Sequence, residues 1–127
     1  MAFESTERDL TPQRVAEMIE SGEAQLVDVR EPYEYEAGHI AGVLHIELEH
    51  LAARAGEIDR DRPVIFHCRV GRRSGLATEA FAASGIDAYN MAGGIQAWAD
   101  AGLPLEPANG TVADHRPTTA IENVKMD

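Results

Sequence analysis

Apolar positions along the chain follow two rhythms that take turns. Residues 25–29 (QLVDV), 43–46 (VLHI), 63–67 (PVIFH) and 87–91 (DAYNM) are short segments that predict strands. Helical spacing fills the intervals between them. Thr11 followed by Pro12 is a helix start, with Thr as N-cap and Pro at the first helical position. Val15, Met18 and Ile19 then recur on one face until Gly22. Glu31-Pro32 opens a short helical turn that Gly38 closes. Residues 47–55 set Leu48, Leu51, Ala52 and Ala55 on one helical face, with Gly56 as the stop. Residues 74–84 offer Leu76, Ala77, Ala80, Phe81 and Ala83 for packing and end at Gly85; a last helix is expected over 95–101.

Strands that alternate with helices predict an α/β fold with a mostly parallel sheet. Right-handed crossovers then place helices on both faces. The rhythm stops after Leu103. Residues 104–127 hold three prolines and only isolated apolar positions, Val112, Ile121 and Val124, so they read as a tail. Periodicity does not decide whether that tail packs on the domain.

A length of 127 residues with 44% apolar and 26% charged positions suits one soluble globular domain. Charge narrows the range of partners. Twenty-two acidic residues against 11 Lys and Arg leave a net charge of −11, which speaks against nucleic acid or an anionic membrane as a partner. No apolar run approaches the ~20 residues that span a bilayer. A single cysteine excludes an internal disulfide framework, and the acidic N-terminus lacks an apolar signal core. A cytoplasmic, reducing location is the expectation.

Against that acidic background, Arg69, Arg72 and Arg73 cluster beside the one cysteine, Cys68. Cys68 ends an apolar strand and precedes a helix, and ligands of open α/β sheets bind at the carboxyl ends of strands. The short loop from Arg69 to Ser74 lets backbone N–H groups converge on one centre, next to a helix N-terminus. Such a nest binds anions. The same surroundings favour the ionised form of a thiol, which is a nucleophile. Its attack on an electrophilic sulfur leaves a persulfide, whose terminal sulfur the inward amides would hold. Gly71 allows the loop positive φ or close backbone approach. The plainer reading of a lone intracellular cysteine, a small buried hydrophobe, lacks this strand–loop–helix setting.

Cys68-Arg69-Val70-Gly71-Arg72-Arg73-Ser74 resembles the active loop of the rhodanese family, in which Cys, four residues, Arg and a small hydroxyl residue follow in order. Leu26-Val27-Asp28-Val29-Arg30-Glu31, with Glu34-Tyr35 and Gly38-His39-Ile40, resembles its amino-terminal signature. Gly93-Gly94-Ile95-Gln96-Ala97-Trp98 is similar to its carboxy-terminal signature. The resemblance covers residues 6–104, leaving 1–5 as an extension and 105–127 as the tail. It implies a five-stranded parallel sheet flanked by helices. It also implies sulfur transfer through a Cys68 persulfide, from a small anionic donor such as thiosulfate to cyanide, a cellular thiol or a partner protein. No metal or organic cofactor is implied. Ala41-Gly42 departs from the proline common in the family after the Gly-His-Ile run.

Cys68 is thus the expected nucleophile, with Arg69, Val70, Gly71, Arg72, Arg73 and Ser74 as the substrate-binding loop. Arg73, beside the helix start, is expected to turn its guanidinium to the anion. Arg69 and Arg72 are expected to face solvent and steer a dianion inward. Asp28, Arg30 and His67 are candidates for a supporting layer. For Asp28 the simpler reading is a cap of the next turn, for Arg30 a surface pair with Glu34, and for His67 a core position, because strand neighbours face opposite ways. His39 is expected to pack or hydrogen-bond within its turn and Trp98 to join the core. His45, His50 and His115 lack metal-ligand spacing. The alternatives are a sensing or relay module and, less favoured, a cysteine phosphatase or arsenate reductase. Those enzymes place five residues between Cys and Arg, and here the sixth position after Cys68 is Ser74.

Overall fold

The computed structural model describes residues 8–115. The expected extension 1–5 and residues 116–127 of the expected tail lie outside the described residues. Five parallel strands form one sheet: β1 (Asp9–Leu10), β2 (Gln25–Asp28), β3 (Leu44–His45), β4 (Val64–His67) and β5 (Ala88–Met91), in the order β1-β5-β4-β2-β3. Four helices accompany them: α1 (Pro12–Glu20), α2 (Pro32–Ala37), α3 (Arg72–Ala83) and α4 (Gly94–Asp100).

Strand alternation builds two cores. Val27, Val64 and Phe66 face one side with Ile46, Leu51 and Ile58, and Ala77 and Phe81 of α3 cover them. Leu26 and Ile65 face the other side, under Val15 and Met18 of α1 and Ile95 and Trp98 of α4. All four residues of β4 are buried, as expected of a strand covered on both faces. Cys68 belongs to the α3 side of this division.

From β2 the chain runs outward to β3, then returns inside to β4 and on to β5. The order therefore reverses between β2 and β4, and a crevice opens there at the strands' carboxyl ends. β2 and β4 pair in parallel register, with Asp28 opposite His67.

Most sequence-derived elements appear where the rhythm put them. Thr11 caps α1, its hydroxyl accepting from the Arg14 amide at 3.1 Å. Trp98 is core, and its indole N–H donates to Pro104 O at 2.8 Å. The helix expected over 47–55 does not form; two short 3-10 turns, Leu48–His50 and Ala55–Glu57, stand there instead. Leu51 and Ile58 reach the core while Ala52 is exposed. Two methyl-sized alanines bury too little area to hold a continuous helix against the sheet. The two-residue strand β1 carries one apolar residue and leaves no period to read.

Candidate active site

Cys68 follows β4 directly and is almost fully buried. Its sulfur accepts hydrogen bonds from Gly71 N (3.2 Å), Ser74 N (3.4 Å) and Ser74 Oγ (3.3 Å). Gly71 makes this return possible: it is the N-cap of α3 at φ 102°, a conformation other residues rarely adopt. The sulfur therefore sits against the N-terminus of a twelve-residue helix.

Two further features hold the loop. The first amides of α4 reach across to its carbonyls, Ile95 N to Cys68 O at 2.9 Å and Gln96 N to Arg69 O at 3.0 Å. Gly94 permits that approach, since a Cβ there would lie 2.4 Å from Arg69 O and 2.5 Å from Cys68 O. Asn90 is the second feature. Its Nδ2 donates to Gly71 O (3.3 Å) and Asp9 Oδ1 (3.1 Å), which turns Oδ1 toward Ser74 Oγ at 2.6 Å. The Ser74 hydroxyl has one proton, so it serves Asn90 or the Cys68 sulfur at any moment. Sequence reading passed over Asn90. A polar residue inside a buried strand such as Ala-Tyr-Asn-Met was the available signal, because buried polar groups find partners.

A charged frame lies beside the loop, at the end of β2. Arg30 and Asp28 are fully buried. The Arg30 guanidinium donates to both Asp28 carboxylate oxygens at 2.8–3.1 Å and to Gly38 O at 2.9 Å. This corrects the expectation of a surface pair between Arg30 and Glu34. Nε and Nη2 of the planar fork match the Asp28 carboxylate in the closed crevice, where Asp28 also caps the Arg30 amide at 2.9 Å; Arg30 Nη1 has no hydrogen-bond partner among the described residues. Burial alone would raise the Asp28 carboxyl, but the neighbouring His67 ring and the Arg30 guanidinium that donates to it outweigh this and hold the group below its ordinary value.

Glu34 is buried as well and receives two 2.8 Å hydrogen bonds from Arg73. It also accepts from the Glu31 amide at 3.0 Å, as the third helical residue of a capping box does. Burial would raise its carboxyl too; the bonds from Arg73 and Glu31 keep it low. Arg73 thus gives its guanidinium to Glu34, rather than turning it freely to an anion. His67 is fully buried on the frame side, its Nε2 3.8 Å from Asp28 Oδ2. Burial lowers its pKa, with Asp28 opposing. His39 hydrogen-bonds Tyr35 O at 2.9 Å within its turn.

A cleft of about 510 Å³ leads to Cys68, lined by Arg69, Val70, Arg72, Arg73, Leu76 and His115. Arg72 and Val70 are exposed. Arg69 does not face solvent freely: its Nη2 lies 3.1 Å from Asp114 Oδ1. Asp114 and His115 come from the segment read as a tail, and nothing in their spacing marked them.

Residues 11–101 match the model of the rhodanese-like domain. The chain belongs to the rhodanese-like family. Among curated members, the thiosulfate sulfurtransferase GlpE of Shewanella oneidensis is 33% identical over 98 residues, 76% of this chain and 97% of that protein. An uncharacterized Bacillus subtilis protein, YqhL, is 45% identical over 76 residues, which span 59% of this chain and 60% of that protein. The crystal structure of a rhodanese-related protein from Thermoplasma volcanium superposes with a TM-score of 0.72 at 31% identity, covering 77% of this chain and 96% of that one. Among the described residues, no helix of this rhodanese-like chain is long and apolar enough to cross a membrane.

Proposed function

We propose that the protein is a sulfurtransferase that carries sulfane sulfur on Cys68. The observation behind this reading is the convergence of Gly71 N, Ser74 N and Ser74 Oγ on the Cys68 sulfur, at the N-terminus of α3. Donors aimed at one atom in a buried site stabilise charge there without reorganising. The Cys68 thiolate attacks the outer sulfur of thiosulfate or a similar donor. A Sγ–S bond forms, the donor's S–S bond breaks, and its electron pair leaves with sulfite. The negative charge then rests on the terminal sulfur of the persulfide, within the nest. Cyanide or a thiolate attacks that sulfur, takes it, and returns Cys68 as thiolate. No external oxidant or reductant is needed. With one cysteine in the sequence, sulfur passes to an outside acceptor, a small molecule or a partner protein.

The loop length supports this reading over phosphate chemistry. Four residues between Cys68 and Arg73 close a small ring, suited to one terminal sulfur; a tetrahedral phosphate presents three non-bridging oxygens. A single free thiol suits a reducing compartment such as the cytoplasm. Mass spectrometry after incubation with thiosulfate tests the proposal. The expected result is a gain of one sulfur atom on Cys68, reversed by cyanide or a thiol, and no turnover in Cys68→Ser. Turnover retained in that variant overturns the mechanism.

A further inference from the structure

The chain beyond α4 doubles back across the molecule to the mouth of the cleft. Backbone bonds fix its course. His39 and Glu106 exchange hydrogen bonds at 2.9 and 2.7 Å, and Thr111 N donates to Ala37 O at 2.8 Å. Gly38 fits beneath, where a Cβ would meet Thr111 O at 2.5 Å. Val112 packs on the α1–α4 core. Tyr33 then donates to Asp114 O at 3.2 Å, and His115 Nε2 lies 3.4 Å from Glu31 while lining the cleft. At Asp114 and His115 the segment lies as a strap at the mouth of the cleft, with the Asp114 carboxylate 3.1 Å from Arg69.

The consequence is electrostatic. Glu34 pairs with Arg73 and Asp114 with Arg69, so of the three loop arginines only Arg72 makes no ion pair with a described residue. An exposed pair such as Arg69–Asp114 is weak by itself. Its geometry does not rest on that weak attraction alone, because the Thr111 amide bond to Ala37 O and the Tyr33 hydroxyl bond to Asp114 O also hold the segment at the cleft. The carboxylate therefore stands near the path to Cys68, in a protein whose net charge is already −11.

We propose that Asp114 is a specificity-determining residue that weakens capture of small dianions and favours sulfur donors and acceptors of low charge, such as thiols and their persulfides. This rests on the sulfurtransferase reading for its substrate class. The electrostatic effect can be read without turnover, because the chain has one thiol. Alkylation of Cys68 by iodoacetate, an anion, is compared with alkylation by neutral iodoacetamide, each followed by mass spectrometry.

Asp114→Asn is expected to raise the iodoacetate-to-iodoacetamide rate ratio about two- to fivefold, the span of an exposed pair. The thiosulfate KM should fall by a similar factor. In an Arg69→Gln background the same substitution should still raise the ratio, because the carboxylate stays at the cleft, whereas Glu20→Gln, an exposed acid at the end of α1, should leave it unchanged. A ratio unmoved by Asp114→Asn overturns the proposal, as does an equal shift in Glu20→Gln, which would mark a bulk charge effect. If the native protein transfers sulfur from neither thiosulfate nor a thiol persulfide yet the ratio shifts as stated, the sulfurtransferase reading fails and the electrostatic role of Asp114 stands.

Discussion

The ends of β2 and β4 lie side by side, yet they are built from different materials. At β2, the site is made of charged side chains. Asp28, Arg30 and Glu34 are buried, and their carboxylates and guanidiniums meet at about 2.8–3.1 Å. At β4, it is made of main chain: amides and one hydroxyl stand 3.2–3.4 Å from a sulfur. Charge-assisted bonds between buried groups tolerate no loss of a partner. Amides around sulfur accept a larger anion or a different charge state, since the helix terminus holds them in place whether or not they are occupied. On the proposed function, stability therefore concentrates in the frame at β2 and chemistry in the loop at β4.

The sharpest way to break that division is to remove one charge from the frame. Arg30→Met leaves the Asp28 carboxylate buried without its guanidinium and Gly38 O without a donor. We expect a loss of about 3–5 kcal/mol, the usual cost of breaking a buried pair. Replacing both members, with Asp28→Leu added, should recover much of it, because the unpaired charge is gone. Cys68→Ser should do the reverse: no turnover, and a stability change under about 1 kcal/mol for a near-isosteric swap. Urea midpoints of the four proteins decide the matter. An Arg30→Met variant as stable as the native chain would dissolve the distinction between frame and loop.

Gly94 is where the core and the loop touch. It sits at φ 63°, and an added Cβ would strike Cys68 O and Arg69 O. Gly94→Ala is expected to cost about 3 kcal/mol, from the left-handed backbone and the overpacking together. It should also slow sulfur transfer, on the order of a hundredfold, by displacing the loop that carries Cys68. Gly56→Ala is the control: nothing stands within 4 Å of its Cβ position, and both properties should hold. Full activity in Gly94→Ala would show that the α4 amides do not position the loop.

The loop was far more legible in the sequence than the frame, for a physical reason. A main-chain nest is specified by length, by glycine and by the strand before it, and all three are local. Cys68, Gly71 and Ser74 could be placed from one stretch of seven residues. The frame depends on partners brought together by the fold. Arg30 was visible, but choosing Asp28 over Glu34 as its partner requires knowing that its side chain turns into the crevice. Glu34 and Arg73 are 39 positions apart. Asp114 and His115 lie in a segment without period, and bonds to Ala37, His39, Tyr33 and Glu31, all distant in sequence, carry them to the site. The parity of β4, by contrast, was readable: it separates His67 from Cys68 and gives them different neighbours.

That separation yields the smallest effect. His67 is fully buried on the frame side, facing Asp28, Arg30 and His45. Burial holds its pKa below the ordinary 6.5, so as pH falls through that value the unfolded chain takes up a proton before the folded protein does. The unfolded state then binds more protons, and stability must decline with falling pH. Asp28 and Glu34 do not contribute in this range. Both are held below their ordinary values of 3.8 and 4.5, so the stability they supply is complete above those values and is lost only further down, toward and through their folded values. Between pH 7 and 5.5 the expected loss is at most about 1 kcal/mol, since one proton contributes no more than about 1.36 kcal/mol per pH unit. In His67→Gln the decline over this window should vanish, because the titrating ring is gone. Urea midpoints at the two pH values suffice to measure it. A decline that persists in His67→Gln would mean that another group titrates, and that the frame's pH response does not pass through the ring behind Cys68.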